Sequence, residues 1–93
     1  MIENEKYINE AKIALENGFP EDALKILDQL ENEGHHEAVF LKGEVYFKLQ
    51  QWGIALNKFS HYKELEPDDQ RSDSYCLMIN NILGFYHRDL YNP

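Results

Sequence analysis

Apolar residues recur along this chain every three or four positions, in five blocks separated by short breaks. That spacing belongs to helices with a face turned to a core. Tyr7, Ile8, Ala11, Ala14 and Leu15 predict a first helix over 2–17, stopped by Asn17 and Gly18, which tolerate left-handed backbone angles. Pro20 opens the second helix at a position where its missing N–H costs nothing. Glu21 and Asp22 suit the positive end of its dipole. Ala23, Leu24, Ile26, Leu27 and Leu30 form its apolar face, which fades at Glu33-Gly34. The third helix, over 36–49, carries three apolar stripes: Val39, Gly43 and Tyr46; Phe40 and Phe47 around Glu44; and Leu41 with Val45. A surface helix needs one stripe, so three predict a helix packed between neighbours. After a break at Gln50–Gly53, Ile54, Ala55, Leu56, Phe59, Tyr62 and Leu65 predict a fourth helix over 53–65, ended by Pro67. Asp68 or Asp69 caps the last helix. It runs to about 88 through Tyr75, Leu77, Met78, Ile79, Ile82, Leu83, Phe85 and Tyr86, before an irregular tail over 89–93. No segment alternates with period two and no linker is rich in Gly, Pro or Ser. The expectation is one all-α domain over 1–93.

Two helix pairs repeat. Ala23 aligns with Ala55, Leu27 with Phe59 and Leu30 with Tyr62; upstream, Tyr7 aligns with Val39, Ala11 with Gly43 and Ala14 with Tyr46. The small residues at 11, 23, 43 and 55 let paired helices approach closely.

These residues resemble the tetratricopeptide repeat, a helix–turn–helix unit of about 34 residues. Gly43 and Tyr46 match its small residue and the aromatic three later. Ala55, Phe59 and Pro67 match the alanine, aromatic and proline that follow, and Trp52 the aromatic before the second helix. The match is specific over 36–69, where five spaced positions agree, and degenerate over about 4–35, where Ala11 replaces the glycine, Ala14 the aromatic, and no proline closes the repeat. Lys42 and Tyr62 depart from the leucine and alanine the family favours, and Tyr62 implies an unusual angle for the last helix. The resemblance implies two antiparallel hairpins, a capping helix over about 69–88, and a right-handed α–α superhelix.

Composition narrows the function. The formal charge is −8. Residues 1–37 hold ten acids against three lysines, a balance of −7. An acidic surface repels phosphate backbones and anionic lipid, so neither nucleic acid nor membrane is an expected partner. It solubilises the chain or steers a basic partner. No apolar run is long enough to span a bilayer, and MIENEKYINEAK lacks the apolar core of a secretory signal. A single cysteine, Cys76, fits a reducing compartment, and the expected location is cytoplasmic.

The candidate chemistry is sparse. His35 and His36 are adjacent and point about 100° apart on a helix. His61, Cys76 and His87 lack metal-ligand spacing. Neither a phosphate loop nor a nucleophile elbow occurs. No catalytic residue, metal or cofactor is expected, and the chain is read as a non-enzyme.

The resemblance instead implies a concave groove lined by the first helix of each pair. It assigns to that groove Ile8, Lys12 and Leu15, then Glu37, Phe40, Glu44, Phe47 and Lys48. Phe40 and Phe47 around Glu44 would be exposed apolar anchors flanking one charge; the alternative is that the last helix or tail covers them. Some family members grip a C-terminal carboxylate with lysine, asparagine and arginine. Here Ile8, Lys12, Phe40, Glu44, Ser74 and Met78 hold those places, and only Lys12 suits them. The expectation is therefore an adaptor that binds a basic or apolar peptide or protein segment. A second reading is a structural or oligomerising module that associates through Phe85, Tyr86, Leu90 and Tyr91, giving a monomer or weak homodimer.

Each hairpin leaves a raw apolar face that a neighbour must cover. A fragment ending at Pro67 is expected to be soluble but molten, with poorly dispersed amide NMR signals. Sharp, dispersed signals from residues 1–67 would contradict this.

Overall fold

The computed structural model describes residues 2–86, with the side chains of 4–84. Five helices follow one another: α1 (Ile2–Glu16), α2 (Pro20–Asn32), α3 (His36–Lys48), α4 (Trp52–Leu65) and α5 (Arg71–Tyr86). No strand occurs among the described residues, so the chain is all-α. The comparable bounds fall within two residues of those expected. The last helix begins at Arg71 because Asp69 stays outside it, its carboxylate accepting the Arg71 backbone N–H at 2.9 Å. The end expected at 88, the tail over 89–93 and the side chains of Phe85, Tyr86, Leu90 and Tyr91 lie outside the description. No described helix is long and apolar enough to cross a membrane.

The first three helices end in one way. Gly18 (φ 87°), Gly34 (φ 89°) and Gln50 (φ 60°) adopt left-handed angles. The following N–H then reaches back to close the helix: Phe19 to the Ala14 carbonyl at 2.8 Å, His35 to Leu30 at 3.0 Å, and Gln51 to Tyr46 at 2.9 Å. This closure occupies carbonyls that a helix end otherwise leaves unpaired. The three left-handed residues are evenly spaced (34 − 18 and 50 − 34 are both 16), so a helix with its turn takes 16 residues. That period underlies the repeat of 32 seen in the apolar pattern.

Consecutive helices pack on one another, and α1 also meets α3. The small residues lie in the core: Ala11, Ala23 and Ala55 are buried, as is Gly43. A Cβ added to Gly43 would meet the Phe59 ring at 2.7 Å, so the α3–α4 contact depends on a bare backbone. Phe59 in turn stacks on Tyr75 of α5, with centroids 4.4 Å apart and planes 6° from parallel, and takes Phe40 edge-on at 5.5 Å. Tyr62 lies 5.2 Å from Phe40. Four rings from three helices thus form one cluster, each pair contributing about 0.5–1.5 kcal/mol beyond its burial.

α5 repeats the burial pattern of α3 at an offset of 34. Ala38, Leu41, Lys42 and Val45 are buried on α3; Ser72 and Ile79 are buried and Tyr75 and Cys76 half-buried on α5. Lys42, which stands where the resembled repeat favours leucine, is only 8 % exposed. It is retained by ion pairs across to α2, with Asp28 and with Glu31 at 2.8 Å. Burial works against both charges, yet the contacts with Glu31 and Asp28 raise the Lys42 pKa, and Lys42 and Lys58 lower that of Glu31. A buried charge persists when its partners are in place.

Gly43→Ala is expected to destabilise the fold by about 1–3 kcal/mol, the range for overpacking a close contact. Gly53→Ala, in a helix with open space around it, is expected to be neutral or stabilising. Urea unfolding of the two variants checks the contrast; equal effects would contradict it.

Candidate functional site

One face of the stack carries a hollow of about 760 Å³, walled by α1, α3 and the first turns of α5, with Leu27 of α2 behind it. Its apolar lining includes Leu15, Leu41, Val45 and Phe47. The helix period places each residue: Leu15 stands one turn beyond Lys12 on α1, and Leu41, Val45 and Lys48 recur every three or four positions on α3.

Seven of the eight residues assigned to a groove border this hollow: Lys12, Leu15, Glu37, Phe40, Glu44, Phe47 and Lys48. Ile8 does not; it packs against the core from the same helix. Phe40 needs a correction. Of its two readings, exposed anchor or covered by the last helix or tail, the structure gives cover by the last helix: Phe40 is 3 % exposed. The rings of Phe59, Tyr62 and Tyr75 surround it, and the Arg71 guanidinium lies 4.1 Å from its centroid. Phe40 is floor, not handle. Phe47 is half-buried, edge-on to Trp52 at 5.2 Å and to Tyr75 at 5.0 Å.

Arg71 organises one end of the hollow. It grips Glu37 with two parallel bonds, Nη1 to Oε2 at 3.0 Å and Nη2 to Oε1 at 2.7 Å, a geometry that suits a planar guanidinium. Nη2 also donates to the Tyr62 hydroxyl at 3.0 Å and to Asp69 at 2.9 Å, and Nε donates to Asp69. The Tyr62 hydroxyl in turn donates a hydrogen bond to Asp69 Oδ2 at 2.6 Å. One side chain thereby links α3, α4, the turn before α5 and α5 itself. The Arg71 guanidinium, then the Tyr62 hydroxyl, hold the Asp69 carboxyl well below the usual carboxylate range. Arg71 and Glu37 satisfy each other, so neither is spare for a ligand.

On the hollow's α5 wall, the Tyr75 hydroxyl donates to Glu44 Oε2 at 2.7 Å. Burial, followed by this contact with a carboxylate, pushes the Tyr75 pKa up to about 12. Glu44 keeps its second oxygen for another donor. Lys12, Glu16 and Lys48 are exposed around the rim. Cys76 lies outside the lining, and burial pushes its thiol up, away from the reactive thiolate. Among the described residues, no group of His, Cys, Asp and Glu side chains is placed to hold a metal ion.

Sequence reasoning missed the other seven lining residues: Ala11, Glu16, Leu27, Leu41 and Val45 on the first three helices, and Arg71 and Tyr75 on α5. The available signal for Arg71 was charge at repeat spacing: Arg71 follows acidic Glu37 by 34 residues.

No family model matches the chain, and no curated protein sequence matches it. Among solved structures, the solution NMR structure of Bacteroides fragilis protein BF1650 is similar, with a TM-score of 0.79 and 34% sequence identity. The match covers 91% of this chain and 88% of that one.

Asp69→Asn should weaken the fold at neutral pH. A carboxyl whose folded pKa is depressed contributes stability above its unfolded pKa of about 3.9, and loses that contribution as pH falls further. The stability gap between wild type and Asp69→Asn is therefore expected to be full at pH 6–7 and to shrink progressively below about pH 4. Urea midpoints measured across that range check it, and a pH-independent gap would contradict it.

Proposed function

We propose that this chain, which belongs to the same family as Bacteroides fragilis protein BF1650, is a small protein–protein interaction module. Its hairpins over about 4–35 and 36–69 are tetratricopeptide-like repeats closed by a capping helix in a right-handed superhelix, and its concave hollow receives a peptide or protein segment. The 16-residue turn period, the close Gly43–Phe59 contact and the return of the α3 burial pattern on α5 support the repeat reading.

The observation that carries the function is the hollow of about 760 Å³. That volume lies within the usual range of ligand clefts, about 300–1,000 Å³. Half-buried Leu15 and Phe47 supply apolar contact area over a floor that includes buried Leu41 and Val45, while Glu44 and the rim charges select. The occupant that fits is a segment with an apolar anchor and a basic group beside it to meet Glu44.

Peptides selected from a displayed library against the intact protein provide the test. Their affinity is expected to fall at least about tenfold, or about 1.4 kcal/mol, on Glu44→Lys and on Leu15→Asp. Lys25→Glu, on the exposed side of α2, should leave it unchanged. Selected peptides that bind both hollow variants as tightly as wild type would remove the hollow from the account.

A further inference from the structure

The outer face of α5 is unlike the rest of the surface. Asp73, Ser74, Leu77, Met78, Asn80, Asn81 and Gly84 are exposed, and on a helix they fall in one arc of about 160°. Leu77 is 65% exposed and Met78 44%. From Ser74 to Gly84 no residue is charged, in a chain where 28% are. Asp73, at one edge, is paired with Lys63 of α4 at 3.1 Å. Leu77 and Met78 lie about 100° apart on that arc with Asn81 and Ser74 between them, so the face mixes apolar, hydroxyl and amide groups and has no net charge to desolvate.

We propose that this face docks on the same face of a second copy of the chain, α5 against α5, in a closed twofold dimer. Three observations select a copy of itself. The first is the placement of charge. Residues 1–37 carry −7 and the remaining residues, with six basic and seven acidic side chains, carry −1. Contact through α5 leaves the two strongly acidic halves outside the interface; a contact through the first hairpin brings them together. The second is chemistry. Asn80, Asn81 and Ser74 each carry both donor and acceptor groups, so an identical helix can satisfy them. The third is the opposite end of the stack. The face α3 uses against the preceding hairpin holds Ala38, Leu41, Lys42 and Val45. Their counterparts on α1, 32 residues earlier, are the exposed Lys6, Asn9, Glu10 and Ile13. That surface is mostly polar, with Ile13 its one apolar member among the four, and so is a poorer seat for α5 than a second α5, which disfavours head-to-tail filaments and favours the self-complementary contact.

Repeat spacing also sets the approach. At the offset of 34, Leu77 occupies the place of Gly43, whose bare backbone admits Phe59. A leucine there keeps a partner helix at the ordinary separation of about 8–10 Å. One helix face about 24 Å long buries less than the roughly 1,200 Å² of a stable interface, so the dimer is a weak one that populates with concentration.

Sedimentation velocity on the full chain, from about 10 μM to about 1 mM, tests this. Wild type is expected to move from one chain of 11.0 kDa toward twice that mass. Leu77→Asp is expected to remain a monomer with an unchanged circular dichroism spectrum. Ile13→Asp, at an exposed position on α1, should dimerise as wild type does. A wild type that stays monomeric throughout, including one whose α5 face is taken by a different protein, overturns the proposal. So does a dimer that survives Leu77→Asp, or one that is lost in Ile13→Asp.

Discussion

The Phe59 ring against the bare Gly43 backbone is the contact on which the other packing depends. Phe59 has no exposed surface, and a single Cβ at 43 would come within 2.7 Å of its ring. The close approach fixes the ring, which then offers one surface to Tyr75 and an edge to Phe40. The α3–α4 hairpin and the docking of α5 are therefore consequences of one crossing. The first hairpin uses small residues in the matching places, Ala11 and Ala23, with Leu27 where the second hairpin has Phe59. An aliphatic side chain in that place removes the need for glycine opposite it.

Charge does a separate task. Arg71 ties the first turn of α5 to α3, α4 and the turn between α4 and α5. Its bidentate grip on Glu37, its bonds to Asp69 and Tyr62, and its position over Phe40 are met together with the first turn of α5 against α3. Tyr75 then reaches Glu44 one turn later. These polar contacts form the end and wall of the hollow, so the same side chains that set the last helix also shape the surface offered to a partner. Lys42 performs the equivalent task between α2 and α3, using Asp28 and Glu31.

Helix bounds and close contacts were legible in the sequence because they depend on neighbours a few residues away: Gly18 and Gly34 at turns, Pro20 and Pro67 at ends, and small residues at 11, 23, 43 and 55. Gln50 in a left-handed turn was legible only as a break, since the residue type does not announce that angle. Half of the residues around the hollow, seven of fourteen, were reached through the resemblance to a known repeat and not through helical spacing. The exposure of Phe40 was not legible. It depends on Arg71 and Tyr75, more than thirty residues away, and on the rotation of a helix whose outer and inner faces both carry apolar residues. Lys42 was legible as a departure but not as an ion pair, because its partners lie on a helix that only folding brings alongside.

Assigned NMR spectra of the intact chain test the crossing directly. If Phe59 lies on Gly43, the Gly43 α protons will be shifted upfield by the ring and will show strong nuclear Overhauser contacts to Phe59, while Phe59 shows contacts to Tyr75. Gly43 α protons at ordinary helical shifts, with no contact to the Phe59 ring, would contradict the account.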